Sequence, residues 1–213
     1  MQTIHAKIIL LYKNGHSAQS IANETQVKLH TIYRVLKKHS ITRRTANETN
    51  TLRFIQTPKS YQIIKKLSTS QQKLKTAALM LYWGEGAKTG NTVDFTNSST
   101  LAHKVFLQYL RDICQVKENK LRFYLYCFED VKPSILIKYW AEHLNIAPTQ
   151  FTEPYIQKRK TPIKHARIPH GVLHIRYSDK RLLKEILLDC EALLSALCAN
   201  QNTWVDTEAV KRG

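Results

Sequence analysis

Between Ile4 and Ile41 the apolar residues recur at helical spacing in three short bursts, each ended by its own turn signal. Ile4, Ile8, Leu11 and Tyr12 stripe a first helix that stops at Asn14-Gly15. Ser17 caps a short second helix carrying Ala18, Ile21 and Ala22. A turn at Thr25-Gln26 leads through Val27 to a third helix with Ile32, Val35 and Leu36 on one face, and Ile41 closes the unit. Lys28, His30, Thr31, Tyr33, Arg34, Lys37 and Lys38 are left for the other faces, so the third helix is basic on its outside.

The charge of the chain points the same way. The 213 residues carry a formal net charge of +17, with a pI near 9.8. Residues 1–75 hold 14 Lys and Arg against two acids, Glu24 and Glu48, whereas residues 76–213 hold 19 against 14. A basic N-terminal third ahead of a nearly balanced body suits a module for a polyanion: nucleic acid first, an anionic membrane surface second. Three short helices with a basic third one fit a DNA major groove. No apolar run approaches the roughly 18 residues that span a bilayer, and no secretory signal is visible, so the expected setting is cytoplasmic and nucleoid-associated. Cys114, Cys127, Cys190 and Cys198 lack CxxC spacing and are expected as buried thiols.

The stretch from Gly15 to Lys38 resembles the helix-turn-helix of resolvases and small repressors, with Ile21-Ala22, Val27, Thr31-Ile32 and Arg34-Val35-Leu36 on matching positions. Gln26 replaces the family's usual Gly and must take the turn without glycine's freedom. Lys28 replaces a usual Ser, exchanging a side-chain cap for a charge that reaches phosphate. The resemblance implies duplex DNA contacts from Lys28, His30, Thr31, Tyr33, Arg34 and Lys38. Arg43 and Arg44 follow as a basic arm on the backbone. Residues 46–70 read as a basic linker with one short helix around Tyr61–Leu67.

Residues 71–198 alternate helical and strand patterns. Ser70 is placed to cap a helix over Gln71–Gly84. Val93 and Phe95 share one strand face, and a helix starts at Ser98-Ser99. In Lys120–Phe128, Leu121, Phe123, Leu125 and Cys127 oppose Arg122, Tyr124 and Tyr126. A helix opens at Pro133, a strand-like run covers Phe151–Lys160, and Val172–Tyr177 alternates again. Asp179 caps a last helix, and residues 199–213 form a polar tail. Val93–Ser99 and Leu173–Asp179 form a weak repeat at an offset of 80. The expected class is α+β: the three-helix unit, then a sheet covered by helices on one face. The other face would present Arg122, Tyr124, Tyr126, Lys158, Lys160, His174 and Arg176, either as a duplex-binding saddle or as a second thin core layer.

Leu79–Lys88, reading LMLYWGEGAK, resembles the motif helix of LAGLIDADG homing endonucleases, and the similarity continues through Val93–Ser99. The resemblance implies that Glu85 is the acid that binds a divalent metal, Mg²⁺, at the scissile phosphate, with Gly84 and Gly86 on the small positions. Lys88 joins the expected DNA contacts. Met80 stands where the packing face usually has Gly. With one motif copy, a nuclease requires a homodimer. Glu85 also opposes the negative end of its helix dipole, an arrangement that a cation would reverse; the plain alternative is a loop Glu paired with Lys88. The scaffold equally resembles sporulation regulators with a degenerate LAGLIDADG domain. The function expected is therefore sequence-specific double-stranded DNA binding, with a Mg²⁺-dependent endonuclease and a non-catalytic transcriptional regulator as alternatives; a recombinase accessory role ranks third. His165, His170 and His174 form a tempting series, but Pro169 and Gly171 break any common helical face.

Overall fold

A computed structural model describes residues 3–158 and 168–199. They fall into two compact units, divided between Pro58 and Lys59.

The first unit contains α1 (Ile4–Lys13), α2 (Ala18–Thr25), α3 (Leu29–Lys38) and α4 (Ala46–Gln56). Local chemistry starts each helix. Thr3 accepts from the backbone N–H of Ala6, Ser17 from that of Ser20, and Thr45 forms a reciprocal capping box with Glu48. The apolar stripes then meet: Ile8, Tyr12, Ala18, Ile21, Ile32, Val35 and Leu36 form one buried core. Gln26 ends α2 in the left-handed region, at φ 56° and ψ 22°. Its side-chain amide donates to the Asn23 carbonyl at 2.7 Å, a local bond that offsets part of the strain. Lys28 stands at the N-cap of α3 without a side-chain cap.

The second unit begins at once. Residues 46–70 are not a linker, because α4 belongs to the first unit and Ser60 and Tyr61 are buried in the second. Tyr61–Leu67 is not helical. The backbone N–H groups of Gln62 and Ile64 donate instead to the carbonyls of Cys114 and Ile113. Those acceptors lie where α6 (Thr100–Gln108) runs on into the π-helical turn Tyr109–Ile113 and stops. The order is then α5 (Thr69–Glu85), β1 (Val93–Asn97), α6, β2 (Leu121–Phe128), α7 (Pro133–Leu144), β3 (Tyr155–Gln157), β4 (Val172–Tyr177) and α8 (Lys180–Ala199). Ser68, not Ser70, caps α5, because Gln71 reaches back to the Ser68 N–H and closes a capping box. Asp179 caps α8 by accepting from the Arg181 N–H at 3.0 Å.

The sheet order is β1-β4-β2-β3, with β4 antiparallel to both neighbours and β3 parallel to β2. Of the strand-like run expected over Phe151–Lys160, the described residues 151–158 form a three-residue strand plus an isolated bridge from Phe151 to Phe123, and residues 159 and 160 lie outside the described residues. The two segments of the offset-80 repeat are adjacent antiparallel strands, with Val93 opposite Tyr177 and Asn97 opposite Leu173. One sheet face is dry: Val93, Phe95, Leu121, Phe123, Leu125, Cys127, Leu173, Ile175 and Tyr177 are buried in one core with residues from α5, α6, α7 and α8. Alternation puts Asp94, Thr96, Arg122, Tyr124, Tyr126, His174 and Arg176 on the opposite face, where none is buried.

Three of the four cysteines, Cys114, Cys127 and Cys190, are buried free thiols; Cys198 is exposed near the end of α8. Burial pushes the Cys190 thiol up to about 11.

Candidate nucleic-acid interface

The amphipathic pattern of α3 decides which side chains leave the first unit. Ile32, Val35 and Leu36 point inward, so His30, Arg34 and Lys37, at i, i+4 and i+7, stack along the outer face, all exposed. Thr31 and Lys38 flank this row, and Lys28 opens the helix, exposed. No acid lies between Glu24 and Glu48, so nothing within the helix neutralises these charges. Tyr33 lies beside the row, and the Arg43 guanidinium lies 4.2 Å from the centre of its ring.

Arg44 is tied back to α1. Its guanidinium covers the Tyr12 ring at 4.1 Å and donates to the backbone carbonyls of Tyr12 and His16. Its own N–H donates to the Tyr12 hydroxyl at 2.8 Å. Two of its five guanidinium N–H donors thus go to backbone oxygens, and Arg44 ties the chain after α3 back to α1. A polar groove of about 390 Å³ opens beside it, lined among others by Ser17, Gln19, Tyr33, Arg43, Thr49 and Asn50.

In the second unit the register assembles a charged and aromatic face. Asp94 sits opposite Arg176, and Thr96 opposite His174; on the other side of β4, Arg122 faces Arg176 and Tyr124 faces His174. Asp94 accepts from Arg176 Nε at 2.8 Å and lies 2.9 Å from His174 Nδ1. An ionised carboxylate only accepts, so Nδ1 carries the proton. Burial resists ionisation of Asp94, yet the hydrogen bonds and charges of His174 and Arg176 hold its carboxyl below the usual range. The Arg176 guanidinium also lies 4.5 Å above the Tyr124 ring. Asp94 therefore offsets much of the positive charge expected on this face. Arg122 is exposed, although one of its nitrogens donates to the carbonyls of Asn119 and Leu121. Lys158 is exposed just beyond β3, and Lys160 lies outside the described residues.

Of this face, sequence reading gives Asp94 only as a minor acid candidate with a structural role, and it passes over Tyr155. Asp94 shares the polar face of the Val93–Asn97 alternation with Thr96, so the period-2 pattern could have placed it on the open side of the sheet, although not beside β4. Tyr155 carried no such signal, because β3 is too short to show alternation. Its ring stacks on Tyr126 at 5.0 Å with an interplanar angle of 19°.

Glu85 is exposed at the last turn of α5, next to a sheet edge: Gly86 bridges Phe95, and the Ala87 N–H donates to the Asp94 carbonyl. Lys88 does not pair with it. Its ammonium donates instead to the carbonyls of Tyr82 and Gly86, at 3.1 and 2.6 Å, compensating the helix end itself. Lys88 remains exposed, with one of its three ammonium donors outside these two bonds. Gly84 faces open space, whereas a Cβ on Gly86 would come within 2.4 Å of the Tyr82 ring. Among the described residues no three His, Cys, Asp or Glu side chains are grouped to hold a metal ion. His165 lies outside the described residues, His170 stacks on Tyr139 at 3.7 Å, and His174 is the sheet residue already placed.

Residues 4–39 match the family model described as the helix-turn-helix domain of resolvase. The match spans α1, α2 and α3 and stops before α4. No curated protein and no solved structure matches the chain. Among the described residues no helix is long and apolar enough to cross a membrane.

Proposed function

We propose that this chain is a sequence-specific double-stranded DNA-binding protein that reads its site with α3. The observation that carries this reading is the exposed row His30, Arg34 and Lys37, flanked by Thr31 and Lys38, on the third helix of a resolvase-type helix-turn-helix. A helix with these groups fits the major groove, where an arginine fork on guanine contributes roughly 1–3 kcal/mol of discrimination. Lys28 and Arg43 are placed at the edges of this face, where phosphates would lie. The test is Arg34→Ala on the full chain, titrated against a selected site and against random duplex. Specific affinity should fall about five- to hundredfold while random affinity changes little. Equal losses on both would make Arg34 a phosphate contact and remove the readout role.

For the second unit the reading is a LAGLIDADG-like scaffold in a non-catalytic regulator. The sheet covered by helices on one face supports it. So does α5, which leaves Ala77, Trp83 and Gly84 exposed, as a helix that pairs with its copy in a homodimer would. A Mg²⁺-dependent endonuclease is the second reading, favoured by the exposed Glu85 beside the sheet edge. One chain does not fit the ion, because Glu85 is a single carboxylate with no grouped partners among the described residues. The nuclease therefore stands or falls on a dimer. Plasmid nicking in Mg²⁺ or Mn²⁺, absent in EDTA and in Glu85→Gln, would establish it; intact plasmid with wild-type protein bound leaves the regulator.

A further inference from the structure

We propose that the open face of the sheet is a stacking platform for single-stranded nucleic acid, distinct from the duplex reader on α3. The face is aromatic at its centre and only mildly charged. Tyr124 and Tyr126 stand two residues apart on β2, and Tyr155 pairs with Tyr126 across to β3. Tyr155 is 49% exposed, so its ring offers area that nothing in the described chain covers. The Arg176 guanidinium lies 4.5 Å over the Tyr124 ring, which also meets His174 edge-on at 5.4 Å.

Spacing and charge select the ligand. Side chains two apart on a strand stand about 7 Å from each other. In a duplex, bases repeat every 3.4 Å or so along a strand, and their faces are covered by their neighbours. Tyr124 and Tyr126 cannot both reach base faces there. A single strand, with its bases splayed, can offer a face to each ring. A duplex saddle would instead need free cations across the face. Here Asp94 has already taken Arg176 and His174. Arg122 and Lys158 remain exposed at opposite ends of the platform, as expected for guiding a phosphodiester chain past the rings. Residues 59–213 carry 24 Lys and Arg against 14 Asp and Glu, so this unit suits a polyanion without help from the first.

The experiment uses the full chain and fluorescein-labelled oligo-dT and oligo-U of about a dozen nucleotides, within the span such platforms cover. Measurement at raised salt suppresses contributions from the exposed charges of α3. Tyr155→Ala should weaken single-strand binding about tenfold, the loss of one stacked base, and Tyr155→Phe should restore it. Ultraviolet cross-linking to a 5-iodouracil probe should map to Tyr124, Tyr126 or Tyr155. The tighter of the DNA and RNA probes identifies the source of the strand. Equal affinity of wild type and Tyr155→Ala, or cross-links confined to other elements, overturns the proposal. A loss that appears on matched duplex instead also overturns it, in favour of a duplex saddle. The Arg34→Ala titration is scored on duplex alone, so failure of the α3 reading is seen separately.

Discussion

Replacing Asp94 by Asn tests whether one carboxylate organises the open face. Asp94 is 21% exposed and serves two partners, Arg176 at 2.8 Å and His174 at 2.9 Å. A hydrogen bond to a charged group contributes about 1.5–3 kcal/mol when shielded. Arg176 is 37% exposed, so solvent screens its share to roughly 1 kcal/mol or less. His174, at 20% exposure, supplies roughly another 1 kcal/mol. The expected loss at neutral pH is about 2 kcal/mol, or about 4–8 °C in the melting temperature of a unit this size. The acid limb gives a second check. The carboxyl of Asp94 is held low in the folded chain, so its contribution is complete above the unfolded value, near 3.9. It disappears as pH falls through the lower folded value. The deficit of Asp94→Asn relative to wild type should therefore shrink when melting is repeated below about pH 4. A deficit under about 0.5 kcal/mol at pH 7, within the range of an ordinary surface change, would refute the reasoning. So would a full deficit that persists undiminished in acid.

Gly86→Ala should destabilise the second unit by about 1–3 kcal/mol, measured by denaturant melting, because the new methyl meets the Tyr82 ring. That ring cannot yield, since it is buried, stacked on Phe106 and held through its hydroxyl to the Ala87 carbonyl. Gln26→Gly should change stability by less than about 1 kcal/mol: relief of the left-handed backbone is opposed by the greater freedom of the unfolded chain and by loss of the bond to Asn23. A large destabilisation there would mean that the Gln26 side chain, not the turn, holds α2 to α3.

The local patterns determined a good part of this protein. Caps and apolar periods located α1, α2 and α3, and with them the outward row on α3, because a helix commits each side chain to a face by spacing alone. Alternation did the same for β2 and β4 and separated Leu121, Phe123 and Leu125 from Arg122, Tyr124 and Tyr126. Only the tertiary structure decided what those faces meet. No local pattern shows that Arg44 turns back over Tyr12, or that Lys88 lies over the end of α5. Asp94 lies 80 residues from His174 and 82 from Arg176 in sequence, and strand order brings them within hydrogen-bonding distance. Tyr155 joins Tyr126 only because β3 runs parallel to β2. Periodicity is a property of one segment, whereas register is a property of two. The contacts that set charge and exposure on the sheet come from register.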